Sequence, residues 1–261
     1  LAATWLERSG ETDAATLARH WERAGETQRA ADFQARAGAR ALAEGDLDRA
    51  IECFAASLHD DLPPESRAAR LLGLARAQTL RGAYGDAAAV LERFDEPLVA
   101  AAGGRVRGEV GALRGRILYH TGRAEEAEDA LRLELAVLDE EQHGHLRFEF
   151  LHILFWAVWV QGHYDDAGPV AKQLALEAAH DHRPEHLCAA KLAASYHHVV
   201  RGDLGAAVEL AGEAVQQARQ VRHPFRETDA LILQGSALEL VGLLDEARAA
   251  LEAALGLATR L

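Results

Sequence analysis

Small, apolar and acidic positions recur along this chain in a pattern that repeats every 40 residues. Five glycines stand at that interval, and each is followed five positions later by an alanine: Gly82, Gly122, Gly162, Gly202 and Gly242 precede Ala87, Ala127, Ala167, Ala207 and Ala247. A sixth pair, Gly45 and Ala50, lies 37 residues before the first. A fixed period of this length is typical of stacked helical units, each of which buries its apolar face only against its neighbours.

Each repeat predicts a hairpin of two helices. The glycine suits the left-handed conformation at the end of the first helix, where a residue with a Cβ costs about 1 kcal/mol or more. An acidic residue such as Asp46, Asp86 or Asp203 follows near the positive end of the next helix dipole. The alanine lies where the two backbones of the hairpin approach closely, so a bulkier side chain there would push the helices apart.

Six hairpins follow from this register, with approximate bounds at 28–59, 65–95, 105–139, 145–180, 185–221 and 225–260. Residues that block helix continuation lie between them, at Pro63–Pro64, Pro97 with Gly103–Gly104, Gly144, Pro184 and Pro224. Pro169 falls inside the second helix of the fourth hairpin, so that helix is expected to start late or to bend.

Residues 1–27 form an N-terminal junction or cap in this interpretation. They contain two further turns of the same kind, Gly10 with Ala15 and Gly25 with Ala30, only 15 residues apart. That spacing leaves room for a single short helix between the two glycines.

The turns and their flanks resemble the tetratricopeptide (TPR) repeat. The matching residues are Gly45, Asp46, Leu47, Ala50 and Phe54, then Gly82, Tyr84, Ala87 and Leu91, then Gly242, Leu244, Ala247 and Leu251. The resemblance covers the chain from about Gln28 onward and implies an all-α, right-handed α-solenoid of antiparallel helix hairpins. TPR repeats usually have about 34 residues, so the period of 40 implies helices or connections longer by about a turn and a half.

A second resemblance concerns the segment WLERSGETDAATLARHWERAGETQRAADFQARAGARAL. It is similar to the junction that follows the nucleotide-binding core in bacterial STAND-class signalling ATPases and in related kinase-ATPase fusions. That resemblance implies that the helical array is the sensor or regulatory part of a larger protein. A start at Leu1 and the absence of methionine from the sequence also suggest an excised piece.

Composition and charge narrow the function classes. Acidic residues outnumber basic ones 41 to 28, giving a net charge of -13, which argues against a nucleic-acid surface. The sequence has neither an apolar run long enough to cross a bilayer nor the pattern of a signal peptide at its start, so we expect no membrane partner and a cytoplasmic location. Cys53 and Cys188 lie in distant repeats and are expected to be reduced thiols.

Catalytic motifs are missing from the sequence. It contains no GxxxxGK[ST] phosphate loop, no HExxH zinc helix, no GxSxG elbow and no CxxC pair. We therefore predict no enzyme activity, no catalytic residue and no cofactor in this fragment. Any ATPase or kinase activity would lie outside it.

Histidines are the candidate metal ligands of this sequence. His180, His182 and His186, together with Asp181, could supply ligands for zinc or nickel. Their spacing matches no standard motif, and a solvated linker between repeats explains them better. We therefore predict no metal site and retain these three histidines as weak candidates; His143 and His145 are interpreted as linker residues too.

Groove positions follow from the TPR resemblance by counting back from each turn glycine along the first helices. The row six positions before the glycine contains Arg76, Arg116, Trp156, Tyr196 and Ser236. The row three positions before it contains Thr79, Tyr119, Trp159, Val199 and Glu239, and the row ten positions before it contains Leu72, Ala112, His152, Leu192 and Ile232. These rows are expected to differ from a core and to line a concave groove.

The predicted partner-binding groove comprises Arg76, Arg116, Tyr119, His152, Trp156, Trp159, Tyr196, Val199 and Ser236. The aromatic residues would anchor a peptide or helix, and the two arginines would pair with a carboxylate near one end of it. The alternative is that the apolar helix FLHILFWAVWV is simply core and that both tryptophans pack inside.

Two functions remain open from the sequence. The first is a non-catalytic scaffold whose groove binds a protein, a peptide or an intramolecular partner domain, as the regulatory part of a bacterial signalling protein. The second is a small-ligand sensor that controls an adjoining ATPase or transcription activator through the same aromatic pocket. The last helix carries Leu251, Leu255 and Leu257 without a polar outer face, which suggests either further repeats or an end-to-end homodimer.

Overall fold

The computed structural model describes residues 2–9, 13–59, 61–138 and 140–260, and all their side chains except those of residues 3 and 140–145. Within these ranges the chain forms fifteen α-helices and no β-strand. It divides into two compact units, Leu1–Gly122 and Arg123–Leu261. The predicted all-α class and the series of helix hairpins are confirmed.

Eight helices belong to the first unit: α1 (Ala2–Arg8), α2 (Ala14–Arg23), α3 (Thr27–Glu44), α4 (Leu47–Ala56), α5 (Pro64–Leu80), α6 (Tyr84–Leu91), α7 (Glu96–Ala102) and α8 (Gly104–His120). Seven belong to the second unit: α9 (Ala124–Val137), α10 (Glu140–Val160), α11 (Tyr164–Asp181), α12 (Pro184–Arg201), α13 (Leu204–Gln220), α14 (Pro224–Val241) and α15 (Leu244–Ala258).

Left-handed glycines form the turns, as predicted. The φ angles lie between 77° and 90° at Gly45, Gly82, Gly122, Gly162, Gly202 and Gly242. A Cβ added at any of these six positions would meet no atom within 4 Å. Backbone conformation, and not lack of space, therefore selects glycine at the turns.

The alanines five positions later are buried, as predicted. Ala50, Ala87, Ala127, Ala167 and Ala207 have no exposed surface, and Ala247 is 4% exposed. Ala50, Ala87, Ala167, Ala207 and Ala247 lie on second helices that pack on their first helices, in the pairs α3 with α4, α5 with α6, α10 with α11, α12 with α13 and α14 with α15. Asp46 and Asp203 cap second helices by accepting hydrogen bonds from the backbone N–H groups of Arg49 and Ala206.

First helices of neighbouring hairpins also contact one another. In the second unit α10 packs on α12, and α12 packs on α14. In the first unit α3 contacts α5, and α5 contacts α8. Within each unit the first helices therefore form a layer in which residues at one register position lie in a row.

The N-terminal segment contains more helix than predicted. Helix α1 precedes the expected short helix, which is α2, and α2 packs on α3 across a left-handed Gly25. Trp21 of α2 is buried in a cluster with Phe33 and Cys53. The predicted turn at Gly10 lies outside the described residues.

Two expectations about helix boundaries were wrong, and a third was wrong in one of its two alternatives. Helix α7 forms around Pro97, because proline is tolerated in the first turn and the side chain of Asp95 accepts a hydrogen bond from the N–H of Leu98. Helix α10 begins at Glu140 and continues through Gly144. A late start or a bend was expected for the helix that contains Pro169; α11 starts at Tyr164, so it does not start late.

No helix in the described part of the chain combines the length and the apolar character needed to cross a bilayer.

Candidate functional site

Four aromatic side chains meet where α10, α11 and α12 come together, and we call them the aromatic surface. Trp156 and Trp159 lie on α10, Tyr164 begins α11, and Tyr196 lies on α12. Ring centroids are 5.1 Å apart between Trp156 and Tyr196, 5.6 Å between Trp159 and Tyr196, and 4.8 Å between Trp159 and Tyr164. The interplanar angles of 80°, 64° and 60° are those of edge-to-face contacts, which aromatic pairs prefer over a flat sandwich.

The aromatic surface rests on the buried face of α10. That face consists of Phe148, Leu151, Leu154, Phe155 and Val158, each at most 5% exposed. The Phe155 ring has no exposed surface and lies 5.1 Å from Trp156 and 5.7 Å from Trp159. Both tryptophans form a second stripe on the helix and remain half-buried, so the core does not enclose them.

His152 holds the indole of Trp156. The Nε1–H of Trp156 donates to Nε2 of His152 at 3.2 Å, one helical turn away. His152 must therefore present an unprotonated Nε2 in this arrangement. The indole donor of Trp156 is occupied, and what the residue offers a partner is its ring.

A buried histidine supports the far end of the same helix. His186 of α12 stacks on Phe148 with centroids 3.6 Å apart, and its Nδ1 bonds the carboxylate of Asp181. Burial lowers the pKa of His186, although the bond to Asp181 opposes that shift. Burial of Asp181 acts to raise its pKa, but hydrogen bonds from the backbone of Arg183 and from His186 outweigh it, so the pKa of Asp181 is lowered.

An exposed aliphatic row runs beside the aromatic surface. Val160, Val200 and Leu240 occupy the position two residues before the turn glycines of their hairpins and are 55%, 42% and 59% exposed. They lie on α10, α12 and α14, the three helices that form one layer in the second unit. This row was not predicted from the sequence, although its constant offset from the turn glycines could have revealed it.

Tyr164 was also missed. It lies two positions after Gly162 and is 40% exposed, and it contributes the third edge-to-face contact of the aromatic surface. Equivalent positions hold Tyr84, Leu204 and Leu244, so the sequence marked it as apolar. It was missed because the groove positions were counted along the first helices only, and Tyr164 lies on a second helix.

The remaining candidates of the second unit, Val199 and Ser236, belong to the same layer of helices. Val199 of α12 is half-buried, and Ser236 of α14 is exposed. The row ten positions before the glycines differs from the expectation of a non-core surface. Leu72, Ala112 and Leu192 are buried, whereas His152 and Ile232 retain exposed surface. This position points into the core wherever a neighbouring helix covers it.

Arg76, Arg116 and Tyr119 belong to the first unit. Arg76 contacts the buried carboxylate of Glu109 at 3.2 Å, and Arg105 binds the same carboxylate at 2.9 Å. Arg76 therefore already has an internal charge partner, which the sequence analysis did not foresee. Arg116 and Tyr119 are half-buried; burial raises the pKa of the Tyr119 hydroxyl, while burial and the nearby Arg116 lower the pKa of His120.

The weak metal candidates do not come together. His186 is buried between Phe148 and Asp181, while His180 and His182 are exposed. Across the described residues no group of three or more histidine, cysteine, aspartate or glutamate side chains could hold a metal ion. The side chains of His143 and His145 lie outside the described part.

Cys53 and Cys188 are buried free thiols, and burial raises the pKa of both.

A cavity of about 410 Å³ lies between α9, α10 and α11. Its walls are mainly apolar, and its polar residues are Arg132, Arg147, Asp166 and Gln173. Arg147 also pairs with Glu177 at 2.8 Å, and Arg132 with Glu128 at 2.8 Å. None of the four residues of the aromatic surface lines this cavity.

Comparison with known proteins gives matches of fold only. No protein-family model and no curated protein matches the chain. Three solved structures are similar over most of its length. BtubC (BKLC) from P. vanneervenii has a TM-score of 0.61 at 14% identity, over 86% of this chain and 92% of that one. A Rap protein complexed with competence and sporulation factor has a TM-score of 0.64 at 11% identity, over 94% and 80%.

The third structure is a STAND protein with a tetratricopeptide repeat sensor from Pyrococcus horikoshii. Its TM-score is 0.65 at 13% identity over 90% of this chain, and the chain spans only 38% of its length. These likenesses and the helix hairpins together show that the chain has a TPR-type helical repeat fold, as the sequence resemblance implied.

Proposed function

We propose that this TPR-type array is a non-catalytic scaffold that binds a protein or peptide through the aromatic surface of its second unit. The observation that carries the proposal is the pair of half-buried tryptophans on α10. Their ring contacts with Tyr196 and Tyr164 fix them at the surface, while separate residues fill the core beneath. Aromatic anchors with restricted motion are the residues that most often dominate protein interfaces.

The exposed aliphatic row supports the same assignment. Val160 follows Trp159 directly, and Val200 and Leu240 continue the row on neighbouring helices. Scattered apolar residues on a surface need no explanation, but a contiguous apolar patch marks an interaction site. A partner that covered the aromatic surface would reach this row as well.

The Rap and STAND structures favour a regulatory role, because one is a complex with a signalling factor and the other contains a TPR sensor. We extend that role to this chain as part of the proposal, within a cytoplasmic bacterial signalling protein. The partner would be a separate protein, a peptide or another domain of the same polypeptide.

The test is a capture experiment with purified chain as bait. We expect partners bound by the wild type to be lost with the double variant Trp156→Ala/Trp159→Ala and retained with Trp5→Ala. Trp5 is a suitable matched control because it is 67% exposed on α1, in the other unit. Equal capture by all three proteins, with circular dichroism showing intact helices, would reject the aromatic surface as the binding site.

A small-ligand sensor is the second candidate, and the cavity between α9, α10 and α11 favours it. Its volume of about 410 Å³ lies within the range of small-molecule sites. In this version the ligand would occupy the cavity and not the aromatic surface. A metabolite that raises the melting temperature of the wild type, but not of Val170→Trp, would support it, since Val170 lines the cavity.

A further inference from the structure

We infer that the aromatic surface receives a positively charged side chain, arginine or lysine, from the protein that binds there. The inference rests on the proposed function and adds the chemistry of the partner. Faces of tryptophan and tyrosine rings carry negative potential and attract a cation within about 6 Å of the ring centre.

The first observation is the arrangement of the rings. Trp156, Trp159 and Tyr164 each take part in contacts at interplanar angles of 60° to 80°. In an edge-to-face contact the ring that presents its edge keeps its own faces free of that neighbour, whereas Trp159 also stacks on Phe155, which covers one of its two faces. Because Trp156 and Trp159 are half-buried and Tyr164 is 40% exposed, part of this ring area is accessible.

The second observation is where the chain's own cations lie. Arg29 lies over the ring of Trp21 at 4.6 Å, and Arg36 lies over Phe33 at 4.8 Å. Both pairs belong to the first unit. Among the described residues of the second unit, no arginine or lysine is found over Trp156, Trp159 or Tyr164.

The third observation is the shortage of donors for an anion. Trp156 has already given its indole N–H to His152. Of the two arginines that were expected to pair with a ligand carboxylate, Arg76 is already bound to Glu109. Ring faces without a cationic neighbour suit a guanidinium or ammonium group better than a carboxylate.

The charge next to the aromatic surface is negative, which favours a positively charged partner. The turns that flank it carry three carboxylates, Asp165, Asp166 and Asp203, against one guanidinium, Arg201. Arg201 pairs with Asp165 at 3.2 Å, and Asp203 lies 3.2 Å from His198. The whole chain has a net charge of -13, so a basic segment is attracted towards this surface and an acidic one is repelled.

The experiment uses the whole chain labelled with 5-fluorotryptophan. The sequence has four tryptophans, which single substitutions assign to four fluorine resonances: Trp5, Trp21, Trp156 and Trp159. Two N-acetylated, C-amidated peptides of alternating leucine and arginine are added at millimolar concentration, one with arginine and one with its neutral isostere citrulline. We expect the arginine peptide to shift the Trp156 and Trp159 resonances and the citrulline peptide to leave them nearly unchanged.

The variant Trp159→Leu separates ring recognition from general charge attraction. It leaves the net charge and the apolar character of the site in place, and we expect it to weaken the arginine peptide about two- to thirtyfold. The matched variant Trp5→Leu should have no effect.

Equal shifts from both peptides, shifts confined to Trp5 and Trp21, or no shift with either peptide would each overturn the cation inference. The capture experiment would stay unaffected by those results, because apolar contacts alone could still bind a partner. If the wild type and the double variant Trp156→Ala/Trp159→Ala captured the same partners, while the arginine peptide still bound the wild type, the proposed function would be overturned instead.

Discussion

Gly73 shows how closely the helices of the first unit approach at single residues. A Cβ added there would lie 2.5 Å from the Phe54 ring, and one added at Gly38 would lie 3.1 Å from the same ring. Phe54 of α4 is thus held between the bare backbones of α3 and α5 and is 5% exposed. An added Cβ on either side would therefore press against the ring.

We expect Gly73→Ala to lower the free energy of unfolding by about 1 to 3 kcal/mol, the usual effect of overpacking. The matched control is Gly85→Ala in α6, where an added Cβ meets nothing within 4 Å. That change should stabilise the protein by up to about 1 kcal/mol through helix propensity. Urea unfolding of the two variants measures both effects, and stabilisation by Gly73→Ala would refute the described packing of Phe54.

Residue identity at the turns was predictable, whereas these contacts were not. Gly82 and Ala87 follow from local rules, because a left-handed turn and a close helix crossing each favour one residue type. The glycines at 38, 73 and 168 carry no such local signal. Their role appears only when a ring from another helix, Phe54 or His197, is brought against them.

At the scale of elements, the packing of α11 on α12 depends on His197. Its ring lies against Gly168, where an added Cβ would be 2.6 Å from Cε1, and its Nδ1 is buried without a hydrogen-bond partner. Burial lowers the pKa of His197, with His198 and Arg201 acting in the same direction, while Asp165 and a hydrogen bond to the backbone of Tyr164 oppose them. The folded protein therefore favours the neutral imidazole.

Stability should consequently fall as the pH decreases through about 6.5, the value for an unperturbed histidine. Above that pH the residue is neutral in both states and contributes nothing to the pH dependence. Below it the unfolded chain binds the proton more readily than the folded one. We expect His197→Gln to make the free energy of unfolding decline less between neutral and mildly acidic pH; an unchanged decline in urea unfolding would contradict this.

Helix boundaries were less predictable than helix pairing. Pro97 was interpreted as a break between hairpins, yet α7 begins around it; Pro169 was expected to delay or bend its helix, yet α11 begins five residues before it. Pro97 lies in the first turn of α7, where the N–H that proline lacks would have no helical partner, whereas Pro169 lies inside α11, which continues past it. The ion pair between Arg76 and Glu109 also escaped prediction, because it joins residues of two different hairpins.

At the scale of the whole molecule, α14 and α15 carry an apolar face. Ile232, Leu240, Leu244, Leu251 and Leu255 are between 37% and 66% exposed. Leu192, which holds the position of Ile232 one repeat earlier, is 2% exposed in a cluster with Leu231 and Leu233 of α14. The register position of Ile232 is therefore covered in the preceding repeat and open here.

We predict that this face drives association of two chains at high concentration. Light scattering across a concentration series should show a mass increase for the wild type and a smaller one for Leu244→Glu/Leu255→Glu. Leu176→Glu on α11 is the control, since Leu176 is 64% exposed on a different helix. Equal masses at all concentrations for the three proteins would contradict the prediction.

The measurement that tests the central claim most directly is the affinity of one captured partner for wild type and Trp156→Ala. The account predicts a loss of about 1 to 3 kcal/mol in binding free energy, with a small change in the melting temperature. A variant that unfolds the second unit, or that binds as tightly as the wild type, would contradict it.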